Sequence, residues 1–212
     1  MRAHPNHTVS LGVALLALAA AAPAAAQAGP TGVDPASMPP TGIELELPFP
    51  YGVEVELSQA HGTFSHVGRD YWGWDFRAPV GAPVLAAHDG VVRMVRSDSR
   101  QGGCFREAGS WANYVILSHE SGYETQYLHF SKVHVGLGQR VKAGQVIGEV
   151  GATGFSCGSH LHFQLQRSAG HWAGQSVPAT FRGIGDPAAH SILVSKTRTP
   201  PRTAALLLQA KR

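Results

Sequence analysis

The chain has 212 residues, of which 43% are hydrophobic and only 15% charged, with a formal net charge of +3. That length is enough for one domain with a proper core. The excess of 17 Lys and Arg over 14 Asp and Glu is too small to argue for nucleic-acid binding. A mild positive bias suits an anionic polymer without identifying one. The 25 Gly and 14 Pro fit many short strands joined by tight turns.

Residues 1–26 read as an export signal. Arg2 supplies a thin positive region, Leu11 to Ala22 is apolar but short for a membrane span, and Ala24-Ala25-Ala26 precedes Gln27 as a small-residue cleavage site. The alternative is an uncleaved anchor. No Cys precedes Cys104, so there is no acylated cysteine to tether the chain. The mature protein is therefore expected to be exported, periplasmic or extracellular, and free of the membrane once the signal is removed. Residues 27–41, rich in Pro, Ala, Gly and Ser, read as a flexible arm.

Strand signals follow. Ile43 to Leu47 and Val53 to Leu57 alternate strictly and are separated by Pro48-Phe-Pro-Tyr-Gly52. Val84 to Ala87, Val91 to Val95, Tyr114 to Leu117, Tyr123 to Tyr127, Val146 to Val150 and Leu161 to Leu165 continue the series, with turn residues between them. No helical periodicity is convincing between 42 and 182. The pattern predicts a mainly β domain over residues 42–185 and a basic tail over 186–212, with a short helix at Thr203 to Ala210.

Cys104 and Cys157 are the only cysteines. In an oxidising compartment an even pair predicts one disulfide. Two buried thiols, or a zinc thiolate at Cys157 three residues before His160, are the alternatives.

The most informative local feature is His160-Leu161-His162 after a Gly- and Ser-rich turn. Residues i and i+2 of a strand share a face, so both rings project together. Catalytic zinc takes three protein ligands and keeps one open position, which leaves a second histidine beside the metal to move protons. The bland alternative is a pair of strand histidines that happen to face one way.

The segments His66-Val-Gly-Arg-Asp-Tyr-Trp-Gly-Trp-Asp75, Tyr127-Leu-His129, Gly138 to Gly148 and His160-Leu-His162, in that order, resemble the lysostaphin-type (LytM-type) zinc metallo-endopeptidases. The likeness runs from about Gln59 to Phe181. It implies a single domain of antiparallel sheets forming a groove with a zinc site and few or no helices. It implies hydrolysis of peptide bonds in bacterial cell-wall peptidoglycan, with Zn2+ as cofactor and peptide stems or cross-bridges as substrate. Carried over residue by residue, the metal set is His66, Asp75 and His162, and the catalytic pair is His129 and His160. The chain departs from the usual His-x-x-x-Asp spacing, which would put a ligand at Tyr71. It resembles instead a branch with a longer insert, which makes His66 the ligand and leaves His61 as a fallback. Asp70 and Asp89 compete as carboxylates; Asp89 before Gly90 is most simply a turn residue.

The roles also follow from elementary chemistry. Two neutral imidazoles and one carboxylate leave zinc with net positive charge and an open position. There is no His-Glu-x-x-His, so the base must be a histidine, whose ordinary pKa of about 6.5 suits the task. The other histidines, His88, His119, His134, His171 and His190, read as surface, strand or loop residues. Trp72, Trp74 and Trp111 suit either a groove wall or the core, and Asn113 either a turn or the cleft. Rival functions are a non-enzymatic wall-binding or amidase-activating module and a carrier module. No attachment lysine supports the carrier, and the filled five-residue set argues against the inactive module. The bond cleaved, a regulatory protein partner and the oligomeric state are not legible in the sequence.

Overall fold

A computed structural model of the chain describes residue 1 and residues 34–199. The expected export signal and the expected helix at Thr203 to Ala210 therefore fall outside the described residues. Among the described residues fifteen strands form in chain order: β1 (Glu44–Leu45), β2 (Glu54–Gln59), β3 (Trp74–Arg77), β4 (Pro83–Leu85), β5 (Gly90–Arg96), β6 (Gly102–Gly103), β7 (Tyr114–Ser118), β8 (Tyr123–Leu128), β9 (Lys132–Val133), β10 (Arg140–Val141), β11 (Val146–Glu149), β12 (Gly154–Phe155), β13 (His160–Arg167), β14 (Thr180–Phe181) and β15 (Ile192–Val194). The only helical pieces among the described residues are short 3-10 segments at Pro35–Ser37, Gly68–Asp70 and Arg106–Trp111. The mainly β expectation holds.

The main sheet has the order β10-β5-β7-β8-β13-β3-β2-β15, and its neighbours are antiparallel. A smaller antiparallel sheet, β4-β11-β9, stands beside it. The pairs β1–β14 and β12–β6 are parallel, a detail the antiparallel expectation lacks.

Alternation along β13 divides the main sheet into two faces. Leu161, Phe163 and Leu165 enter a core with Trp74, Phe76, Val115, Leu117, Tyr127 and Phe181. Trp74 and Phe163 stack at 6.0 Å, and Phe181 meets the edges of Trp74 and Phe76 at 5.0 and 5.8 Å. Burying each such ring stabilises the fold by about 1.5–3 kcal/mol, with a further ~0.5–1.5 kcal/mol for aromatic pair geometry. The opposite face carries His160, His162, Gln164 and Gln166.

Two boundaries differ from the sequence reading. The stretch taken as tail from residue 186 onward includes β15, which pairs with β2 through Leu193 against Val55. Ser195 and Thr197 then bond the Phe49 and Leu47 carbonyls from buried positions. Three residues with one buried apolar side chain give too short an alternation to announce a strand. Likewise, the arm is docked at its end, where Pro35 is buried and its carbonyl accepts from Trp72 Nε1 at 2.9 Å.

Candidate metal centre

Asp75 sits in β3 between core residues Trp74 and Phe76, so its side chain projects to the opposite face of the sheet. Its register partner across the ladder is His162 of β13. His66 arrives from the loop between β2 and β3. The ring atoms and carboxylate converge: His162 Nδ1 is 2.8 Å and His66 Nε2 3.1 Å from Asp75 Oδ1, and the two nitrogens are 3.2 Å apart. All three residues are buried.

Their outer hydrogen bonds decide what this triangle is. His66 Nδ1 lies 3.0 Å from the Ala60 carbonyl, which only accepts, so that nitrogen carries the proton and Nε2 faces inward as a lone pair. His162 Nε2 donates to Gln164 Oε1 at 3.3 Å, which leaves Nδ1 facing inward. Two lone pairs and a carboxylate oxygen thus meet with no proton left to bond them, and a cation or an extra proton must occupy the gap. The protonation tendencies agree. Burial works to raise the Asp75 carboxyl, but His162 and His66 outweigh it and hold it well below the usual range. Burial works to lower His162, and Asp75 outweighs that and raises it. The edges of 2.8–3.2 Å are close to the about 3.3 Å between neighbouring ligands of a tetrahedral zinc with bonds of ~2.0–2.1 Å. The trio fits a metal of that size.

Two more imidazoles border it. His129 donates from Nδ1 to the Thr153 carbonyl at 2.7 Å, and His160 from Nδ1 to the Gly158 carbonyl at 2.9 Å, so both expose a bare Nε2. The rings lie 4.5 Å apart, and His160 Nε2 is 3.7 Å from Asp75 Oδ2. Burial, reinforced by the charges of His160 and His162, pushes His129 down to about 3, so it is neutral across the physiological range. His129 also adopts φ 72°, a left-handed conformation uncommon for a non-glycine residue. Its backbone N–H donates to the Asn113 carbonyl.

The other candidates fall elsewhere. Tyr71 packs over Gly62, and His61 pairs with Asp186 at 2.8 Å against Trp72 and Trp74. Asp70 lines the cleft outside the trio, its carboxyl raised by burial against the pull of His162 and other cations. Asp89 closes a turn by accepting from Lys142 Nζ and Ala143 N. Of Trp72, Trp74 and Trp111, Trp74 is core and none lines the cleft. The aromatic wall is formed by Phe64, Phe155 and Trp172, in a cleft of about 790 Å³ bordered also by Arg77 and Arg106.

Two supporting residues complete the site, Asn113, which the sequence left open between a turn and the cleft, and Gly73, which carried no signal there. Asn113 is wholly buried and donates to the Ser99 and Phe130 carbonyls, fixing the start of β7 beside His129. Gly73 leaves no room for a side chain, because a Cβ there would lie 2.9 Å from His162 Cε1 and 3.2 Å from His66 Cε1. The cysteines are joined: Cys104–Cys157, with Cα atoms 4.4 Å apart, ties the turn before His160 to the loop carrying Arg106.

The sequence model of peptidase family M23 matches residues 69–177, more than half of the chain. The chain belongs to peptidase family M23. The matched span contains Asp75, His129, His160 and His162, while His66 lies just before it. The chain is 44% identical over 93 residues to the peptidoglycan DD-endopeptidase ShyB of Vibrio cholerae, covering 44% of this chain and 20% of that protein. It is 40% identical over 101 residues to the DD-carboxypeptidase/endopeptidase Mpg of Neisseria meningitidis, covering 48% of this chain and 21% of that one. The M23 chain thus spans about a fifth of the length of these curated relatives. Among solved structures, the catalytic domain of the prophage-encoded M23 protein EnpA from Enterococcus faecalis is 30% identical, with a TM-score of 0.47, over 61% of this chain and 92% of that one.

Proposed function

We propose that this M23 domain is an exported zinc endopeptidase that hydrolyses peptide cross-links of peptidoglycan, with His66, Asp75 and His162 as ligands and His129 and His160 as catalytic residues. The observation that carries this reading is the buried triangle of inward-facing donors with two further bare Nε2 atoms at its edge. The names of the relatives, peptidoglycan DD-endopeptidases, support the substrate class. In this reading residues 1–26 direct export to the periplasm or beyond, and the catalytic unit extends past residue 185 to include β15.

A bound zinc would polarise the scissile carbonyl and lower the pKa of water towards about 7. Everything else falls to the chain. His129 and His160 share the proton transfer. One Nε2 accepts the proton of the attacking water, and the pair delivers a proton to the leaving amine. Both rings are held by hydrogen bonds to backbone carbonyls, so neither has to reorient during the reaction.

The test is digestion of purified peptidoglycan with product masses, alongside metal analysis of variants. His66→Ala and His162→Ala should lose metal and activity together, and Tyr71→Phe should keep both. His160→Ala should keep metal and lose activity by about 10²-fold or more, the scale of a lost acid–base group. Stoichiometric zinc in the His66→Ala and His162→Ala proteins, or no cleavage by zinc-loaded wild type, would overturn the reading.

A further inference from the structure

The polar face of β13 does not meet solvent. His162, Gln164 and Gln166 are buried, and so is Glu124 of β8, the register partner of Gln166. Their side chains form one directional chain. His162 Nε2 donates to Gln164 Oε1 at 3.3 Å, Gln164 Nε2 donates to Gln166 Oε1 at 3.0 Å, and Gln166 Nε2 donates to Glu124 Oε2 at 3.2 Å. Arg93 closes the far end, with Nη2 donating to Glu124 Oε2 at 2.8 Å.

An amide can be turned end for end, so the direction of such a chain needs a cause. Here the far end supplies it. The Gly174 N–H can only donate, and it meets Gln166 Oε1 at 3.1 Å; the Trp172 carbonyl can only accept, and it meets Gln166 Nε2 at 3.2 Å. The Glu124 carboxylate, ion-paired with Arg93, also accepts only. Three fixed groups therefore present the oxygen of Gln166 to Gln164. Gln164 must answer with its NH2, which turns its oxygen towards His162. His162 must then carry its proton on Nε2, and its Nδ1 is left bare towards Asp75 and His66.

We infer that Gln164 and Gln166 are positioning residues that transmit the polarity of the Glu124 carboxylate and the 172–174 backbone to His162, selecting the tautomer that offers Nδ1 to the metal. The inference rests on the assignment of His162 as a ligand. A ligand histidine that must first exchange tautomers, or whose outer N–H has no acceptor, binds metal more weakly, and loss of such an outer partner typically costs about 10–100-fold in affinity. The arrangement also explains why a buried row of amides is retained where apolar side chains would pack at less desolvation cost.

The test measures zinc affinity by competition with a fluorescent chelator, with folding checked by thermal unfolding. Gln164→Met, nearly the same length but without an acceptor, should weaken zinc binding by about 10–100-fold. Gln164→Glu keeps an acceptor for His162 and should restore affinity to within a few-fold of wild type, even at lower stability. Gln166→Met frees the Gln164 amide to turn over and should weaken binding by a smaller factor. The decisive comparison is the double variant. In a relay, Gln164→Met with Gln166→Met is no worse than Gln164→Met alone, whereas independent packing defects add. Additive losses, wild-type affinity in Gln164→Met, or no rescue by Gln164→Glu would each overturn the inference while leaving the metal site standing. Wild-type protein that binds no zinc would overturn both. Should the methionine variants fail to fold, the 1H–15N spectrum of zinc-loaded wild type still decides. A slowly exchanging ring proton on His162 Nε2 is the expected result, and a protonated Nδ1 refutes it.

Discussion

Removing the disulfide should loosen the turn before His160 without touching His66, Asp75 or His162. Cys104 and Cys157 are 53 residues apart in sequence, so opening the bridge frees a loop of that size in the unfolded chain. The chain-entropy relation gives about 14 cal/mol/K for that closure, or ~4 kcal/mol at 25 °C. For a chain of this size each kcal/mol moves Tm by about 2–4 °C, so Cys104→Ser with Cys157→Ser should lower Tm by about 8–16 °C. The local effect is separate. Cys157 lies in the Ser156–Ser159 turn, where Gly158 O and Ser156 Oγ both hold His160 Nδ1. Freeing that turn should widen the range of His160 orientations, so kcat should fall while zinc stays bound. The assay pairs calorimetry with turnover, with and without reductant. Reduction of wild type should reproduce the double variant, and the double variant should ignore reductant. A Tm change of less than about 2 °C would show that the bridge does not restrict the unfolded chain as reasoned. Loss of zinc along with the bridge would show that the turn supports the ligands and not only His160.

Two further outcomes follow from the site. Gly73→Ala should lower zinc affinity, because its Cβ presses on the His162 and His66 rings from 2.9 and 3.2 Å; unchanged affinity in a metal titration would show that both rings can yield. His129 has its pKa depressed from the ordinary 6.5 to about 3, so as pH falls below 6.5 the unfolded chain takes up a proton that the folded one refuses. Stability should therefore be complete above 6.5 and decline as pH falls towards about 3. His129→Gln should flatten that decline in metal-free protein, and an unaltered pH slope in denaturant titrations would refute the assignment.

What the sequence disclosed depended on periodicity. His160 and His162 were legible because a strand puts i and i+2 on one face, and their neighbours alternate. Asp75 was not placed on a strand, because Trp74-Asp75-Phe76-Arg77 alternates over only four residues, the shortest run that can announce a strand. His66 reaches the centre through an irregular loop that no period describes. Only the likeness to the family singled it out. The alternation on β13 itself misleads in one respect. A polar residue at every second place predicts a wet face, yet Gln164 and Gln166 are sealed under the segment around Trp172. Burial by a loop that folds back leaves no mark in the pattern of the strand it covers. The docked end of the arm and β15 escaped notice for a related reason: the arm is held by a side chain–backbone bond from Trp72 and β15 by a three-residue backbone ladder with β2, and neither carries a periodic stripe.

The left-handed backbone at His129 makes alanine an ambiguous replacement there. Alanine would remove the imidazole but keep a conformation that costs an L-residue about 1–2 kcal/mol, which glycine adopts freely. Glycine at 129 should accordingly give a protein as inactive as the alanine variant but harder to unfold. Position 129 is then one where the chemistry of the side chain and the comfort of the main chain ask for different amino acids, and a search for thermostable variants would be drawn towards silencing the enzyme.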